Sequence, residues 1–185
     1  MIGYAFCGSF CSFAESFEQF SRLVDEGREI IPIMSENAYS TDTRFFEARS
    51  FVEAVEKKAG RAIVHTITES EKFGQNRLDT LVISPCTGNT LAKIANGITD
   101  TAVTMAAKAH LRCDGKLLIA LASNDAMSQN LKNVAALLSR KAVYFVPMRQ
   151  DSPIGKPHSL VADFGKVAEA LEALEKEIQL RPIFV

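Results

Sequence analysis

Between Thr80 and Asn96 the chain reads TLVISPCTGNTLAKIAN. An apolar, strand-like run through Ile83 ends in Ser84-Pro85. The small polar residues Cys86, Thr87, Gly88, Asn89 and Thr90 then lead into an amphipathic helix. Hydroxyls, an amide and free backbone N–H groups therefore meet at a helix N-terminus beside the carboxyl end of a strand. In open α/β sheets ligands sit there, and helix N-termini favour anionic or electron-rich groups. The segment thus points to a small-molecule site.

Three other strand ends carry the same kind of residue: Cys7-Gly8-Ser9, Ser35, and Ser123-Asn124-Asp125. On a parallel sheet all four loops open on one edge. Gly8 admits close backbone approach to a ligand and Ser9 offers a hydroxyl, although the pair also reads as a plain turn and N-cap. Gly3 and Gly8 have no third glycine at dinucleotide spacing, so a mononucleotide with one phosphate at a helix N-terminus fits better than a dinucleotide. Arg44 follows a polar loop facing this edge, and its fork matches a dicarboxylate bidentately. The Asn89 amide donates and accepts towards a polar ring or a carboxylate. Asp125 reads as a base or equally as a helix cap, His158 as a loop residue that could meet a carboxylate. His65 reads as structural, and His110 and Arg112 as cations suiting a helix C-terminus.

Alternating strands and helices must position these loops. Strands are expected at Ile2–Phe6, Glu29–Met34, Arg61–Ile67, Leu78–Ser84, Leu117–Leu121 and Ala142–Val146. Pro32 puts the second near an edge or a bulge. Helices are expected over Phe13–Val24, Phe45–Lys58 (with Phe45, Val52, Val55 and Ala59 inward), Asn89–Asn96, Thr101–Arg112, Asn130–Ser139 and Val161–Gln179. Segments 35–44, 68–77 and 147–157 read as loops. Strands separated by helices imply right-handed crossovers. The fold class is α/β: one doubly wound, Rossmann-like domain over residues 1–185, a parallel sheet with helices on both faces.

At 185 residues the chain can bury a sizeable core. Its net charge of −1, with Lys and Arg scattered, argues against nucleic acid. No apolar run of the roughly 18 residues a membrane span needs occurs, and the N-terminus lacks the pattern of a secretory signal, so a cytoplasmic location is expected. The four cysteines lack the paired spacing of a zinc site and read as reduced thiols; no metal is expected.

The segment SPCTGNTLAKIANGITD (84–100), with CGSF (7–10) and Ser35, resembles the motif of a flavoprotein superfamily. That superfamily holds the flavin-dependent cysteine decarboxylases, phosphopantothenoylcysteine decarboxylase and the prenyl-transferring flavin proteins. Within it, STDTRF (40–45), TGN (87–89), ITDTAVTMAAKA (98–109), SNDA (123–126) and PMRQDSPIGKPHSLVA (147–162) are similar to the family of B subunits of bacterial dipicolinate synthases. The resemblance implies an FMN pocket between protomers of a homo-oligomer. Gly8, Ser9 and Ser35 would hold the phosphate. Thr87, Gly88, Asn89 and Thr90, with Ser123, would frame the ring, and no catalytic residue is assigned. It further implies a dinucleotide-binding dipicolinate synthase A subunit as partner, carrying NAD(P), and a small dicarboxylate substrate. That substrate, a dihydrodipicolinate-type precursor, would be oxidised to dipicolinate in the mother cell of a sporulating bacterium.

The chain departs from the decarboxylases at two points. Their catalytic His falls where this sequence has TESEKFG (68–74). Their PAMN segment is matched by Ala122-Ser123-Asn124-Asp125, and Ser123 replaces the phosphate-binding Arg of the prenyl-transferring proteins. Cysteinyl decarboxylation is therefore disfavoured. An autonomous flavin-dependent decarboxylase and a non-catalytic ligand-binding or scaffold component of the same complex are the alternative readings.

Overall fold

Leu81, Val82 and Ile83 are fully buried in succession, as a parallel strand covered on both faces requires. Leu81 and Ile83 pack into one apolar cluster and Val82 into another. In the computed structural model, which describes residues 1–185, this pattern organises the whole molecule. In chain order the elements are β1 (Ile2–Phe6), α1 (Phe13–Asp25), β2 (Ile30–Met34), α2 (Glu36–Ser40), α3 (Ala48–Ala59) and α4 (Ile67–Glu71). There follow β3 (Thr80–Thr87), α5 (Gly88–Ala95), α6 (Ala102–Leu111), β4 (Lys116–Ser123) and α7 (Leu131–Leu138). Last come β5 (Val143–Phe145), β6 (Met148–Arg149), β7 (Leu160–Ala162) and α8 (Val167–Glu175).

Strands β2, β1, β3, β4 and β5 lie side by side and parallel. Residues of α5, α6 and α7 cover one face; residues of α1, α3 and α8 cover the other. The doubly wound α/β domain expected from the sequence is thus the observed fold. The second face is rich in aromatics. Phe6 meets Phe13, Phe20 and Phe51 edge-on at centroid distances of 6.1, 5.6 and 5.3 Å. Each ring so buried contributes about 1.5–3 kcal/mol relative to an exposed one.

Several local expectations are corrected. Residues 61–67 form no strand. Val64 alone bridges to Ile33, its N–H donating to the Pro32 carbonyl and its carbonyl accepting from Met34. The reason is Thr66, whose hydroxyl and Glu69 form a reciprocal capping box that starts α4 one residue later. Segment 68–77, read as a loop, accordingly holds α4 and a single 3-10 turn. Part of 35–44 is helical too, capped by Ser35. The helix expected from Phe45 begins at Ala48, whose N–H bonds the Asp42 carboxylate at 2.9 Å. Phe45 is exposed, and Phe46 instead stacks against both Phe13 and Phe51.

The sheet also continues past β4, where the expected all-parallel pairing ends. Strand β4 pairs with β5 through Leu117–Ile119 and then with β7 through Ala122 and Ser123. Strands β6 and β7 form an antiparallel ribbon, so residues 160–162 are strand and the last helix starts later than expected. Pro32 does sit on an edge strand, β2. At the amino end of the parallel strands lies a rim of ion pairs: Met1 ammonium to Asp79, Arg28 to Glu175 (2.7 Å), Arg61 to Glu29 (3.1 Å) and Lys116 to Glu177 (3.2 Å).

Candidate functional site

The carboxyl ends of β1, β2 and β3 open into a polar cavity of about 320 Å³. It is lined by Gly8, Ser35, Glu36, Asn37, Thr87, Asn89, Thr90, Lys93, Asp100 and Thr101. Its base is built by β3. The Ser84 carbonyl accepts from the buried Ser16 hydroxyl at 2.5 Å, and Ser16 is itself 3.2 Å from the Tyr4 hydroxyl. Burial pushes the Tyr4 phenol up to about 12. This network ties α1 to β1 and β3 beneath the loop, and every member is neutral. Strand β3 runs on to Thr87, past the Ser84 expected as its end, with a register shift between Ile83 and Cys86.

Thr87 caps α5, its Oγ1 accepting the Thr90 N–H at 3.1 Å and donating to Thr90 Oγ1 at 3.0 Å. That cap satisfies one of the N–H groups that the start of a helix leaves without an intrahelical partner. Asn89, on this turn, is exposed and its amide makes no bond within the protein. One turn later on the same face stands Lys93, whose ammonium meets Asp100 at 2.9 Å across the cavity wall. That hydrogen bond holds the Asp100 carboxyl below the usual carboxylate range. Thr101 and Thr104 form the capping box that starts α6 beside it.

Below the loop sit two buried thiols. The Cys7 N–H donates to the Pro85 carbonyl at 3.2 Å, which sets Cys7 next to Cys86 across β1 and β3. Burial pushes the Cys7 thiol up to about 11; burial, and then the neighbouring Cys7, also push the Cys86 thiol well above its ordinary value. Neither is a nucleophile at neutral pH, since the thiolate is the reactive form.

Of the residues singled out from the sequence, the structure gathers Gly8, Ser35, Thr87, Asn89 and Thr90 around one cavity. Gly88 is buried behind it. Ser9 adjoins the cavity without lining it, its N–H turned back to the Cys7 carbonyl. Ser123 is turned away as well: its hydroxyl donates to Asp125 Oδ1 at 2.6 Å. Asn130 Nδ2 donates to both Asp125 oxygens at 2.9 Å, and the chain of amides runs on to Asn133 and Asn96. The Ser123 bond, then those from Asn130, hold Asp125 below the normal carboxylate range, which suits an anchor rather than a base. Arg44 lies outside the cavity on the exposed 41–47 loop, its guanidinium 4.9 Å above the Phe45 ring. His65 stacks on Tyr39 at 3.9 Å. The sequence reading missed Glu36, Asn37, Lys93, Asp100 and Thr101. Helical spacing from Asn89 gives Lys93; the others come to the cavity only through the packing of α2 and α6.

The Flavoprotein family model matches residues 2–177. The chain belongs to the Flavoprotein family. Among curated relatives of the family, the B subunit of dipicolinate synthase from Bacillus subtilis (strain 168) is 38% identical over 185 residues, 100% of this chain and 92% of that one. The crystal structure of the corresponding B subunit from Bacillus halodurans superposes with a TM-score of 0.91 at 35% identity, covering 100% of this chain and 95% of that one. The FMN-dependent cysteine decarboxylase SpaF shares the fold, with a TM-score of 0.67 at 24% identity and 95% of each chain covered.

Proposed function

We propose that this chain is the B subunit of a dipicolinate synthase. With a dinucleotide-binding A subunit it oxidises a dihydrodipicolinate-type precursor to dipicolinate, in the cytoplasm of the mother cell during sporulation. The observation that carries the reading is the likeness to the Bacillus subtilis protein, which extends over the whole chain. The chain acts as one component of an oxidoreductase rather than alone, and NAD(P) belongs to the A subunit.

The cavity residues fit a flavin mononucleotide by their chemistry. Free N–H groups at the start of α5, the Ser35 and Thr90 hydroxyls, the Asn37 and Asn89 amides and the Lys93 ammonium suit a phosphate and a polyhydroxyl chain. None of the ten lining residues is hydrophobic, so the apolar side of a flat ring would rest on a second protomer, in keeping with a homo-oligomer. Gly8 and Ser35, with Ser9 beside them, would hold the phosphate; Thr87, Asn89 and Thr90 would face the ring. Gly88 and Ser123 act from behind, by fixing the α5 turn. When bound, the flavin supplies two-electron acceptance.

Aromatising the precursor ring removes two electrons and two protons. The part left to this chain's own side chains is binding and orientation. Arg44, exposed and free of any carboxylate, would take a substrate carboxylate bidentately, and Asn89 would contact substrate or ring. The autonomous decarboxylase reading gains no support from the site, because His65 is held against Tyr39 and Asp125 against Ser123.

Purified A subunit, with and without this chain, tests the proposal through dipicolinate formation. The expected result is formation only with both. Full formation when this chain is omitted would overturn it.

A further inference from the structure

The turn after α5 and the end of α6 enclose a second cavity, of about 240 Å³, separate from the site above. Its apolar surface comes from Ile94, Ile98, Ala107 and Leu111. Three cations also line it: Lys108 in the last turn of α6, Arg112 at its C-cap, and Arg140 just past α7. No carboxylate stands within ion-pairing distance of any of the three. Arg112 is nevertheless placed: a Cβ on Gly74 would overlap its Nη2, so the guanidinium lies against the bare backbone there.

Like charges four residues apart on one helix destabilise it by a few tenths of a kcal/mol. The helix dipole offsets this at the C-terminal end of α6, and favours Arg140 beyond α7 in the same way. Dipoles account for a cation at each helix end. They do not account for three cations, none with a carboxylate partner, lining one apolar-walled cavity. An anion resolves the repulsion, and the wall selects one with an apolar body. Guanidinium planes bind carboxylates bidentately and stack on flat rings.

We propose that this cavity is a second ligand site, taking a small flat dicarboxylate whose ring lies on Ile94, Ile98 and Leu111 while Lys108, Arg112 and Arg140 hold its carboxylates. The inference stands on the cavity alone and not on the reaction proposed above. A free dicarboxylate rather than an acidic partner segment is favoured because the cations surround a concavity of small-molecule size.

Calorimetric titration of the full chain with benzene-1,3-dicarboxylate tests it. Saturable binding with a component that depends on the second cavity is expected. Arg140→Gln and Ile98→Glu, both on the exposed rim, should each weaken it by at least about ten-fold, the equivalent of one charge-assisted contact. Arg49→Gln, on the exposed face of α3 and part of neither cavity, should leave it unchanged. Circular dichroism melts confirm that the rim variants fold. The proposal is overturned by the absence of saturable binding, by affinity unchanged in both rim variants, by loss of binding in Arg49→Gln, by inorganic phosphate binding as tightly, or by binding of an acidic peptide alone.

Discussion

Gly88 and Ser123 approach so closely that a Cβ on residue 88 would overlap the Ser123 hydroxyl oxygen. The same Cβ would lie 2.8 Å from Asn130 Nδ2 and 2.9 Å from Asp125 Oδ1. The first turn of α5 is therefore seated directly on the hydrogen-bonded group that ends β4. The cavity residues Thr87, Asn89 and Thr90 take their positions from that seat.

Gly88→Ala should consequently destabilise the protein by about 1–3 kcal/mol, the usual cost of overpacking a tight interior. In a chain of this length that is a drop of roughly 2–4 °C in melting temperature per kcal/mol. Adding Ser123→Gly should recover part of the loss. Thermal melts of both variants at neutral pH decide the point, and an unperturbed Gly88→Ala would show that α5 is not seated there.

Asp125 gives the site a defined acid response. Its folded carboxyl titrates below the unfolded one, which sits near about 3.9. The stability it contributes is therefore complete above about that pH and is lost as the pH falls through the folded value. In Asp125→Asn this component disappears. Urea midpoints of the two proteins should converge between pH 7 and the acid side of about 3.9, the wild type losing more.

Lys93 is shared between Asp100 and the cavity. Asp100→Asn releases it and should tighten binding of a phosphate-bearing ligand, whereas Lys93→Gln should weaken it by about ten-fold, as for one charge-assisted contact. Fluorescence titration with FMN reads both. Opposite shifts are expected, and equal shifts in one direction would contradict the sharing.

The cysteines should separate sharply by reactivity. Cys11 is exposed, while Cys7 and Cys86 are buried with raised pKa values. Iodoacetamide at pH 8, followed by mass spectrometry, should label Cys11 in the native protein and leave Cys7 and Cys86 unlabelled until urea unfolds the chain.

Much of this architecture is legible in the residues. The run Leu81-Val82-Ile83 announces a strand buried on both sides, and the small polar residues after it mark the turn that borders the polar cavity. What escapes is decided by partners distant in sequence. Leu160–Ala162 has apolar character that suits a helix start, but it is taken up by β4 and β6 as strand. Val64 has strand character, yet the Thr66–Glu69 box turns the chain before a second residue can pair with β2. Ser123, expected at the ligand, faces Asp125 instead, because a carboxylate two residues on offers its hydroxyl a charged acceptor. Asp100 and Asn37 carry no local signal, since only the docking of α6 and α2 brings them to the cavity.

The ion pairs along the amino end of the strands bear on how the chain tolerates change. Their carboxylates are 42 to 80% solvent-exposed, a setting in which an ion pair contributes at most about 1 kcal/mol. At the opposite end, Gly88, Thr87 and Ser123 have neighbours within bonding or clashing distance. The two ends of one sheet thus differ in mutational freedom: the charged rim can be rewritten residue by residue at little cost, while the edge that bears the polar cavity admits change only in concert.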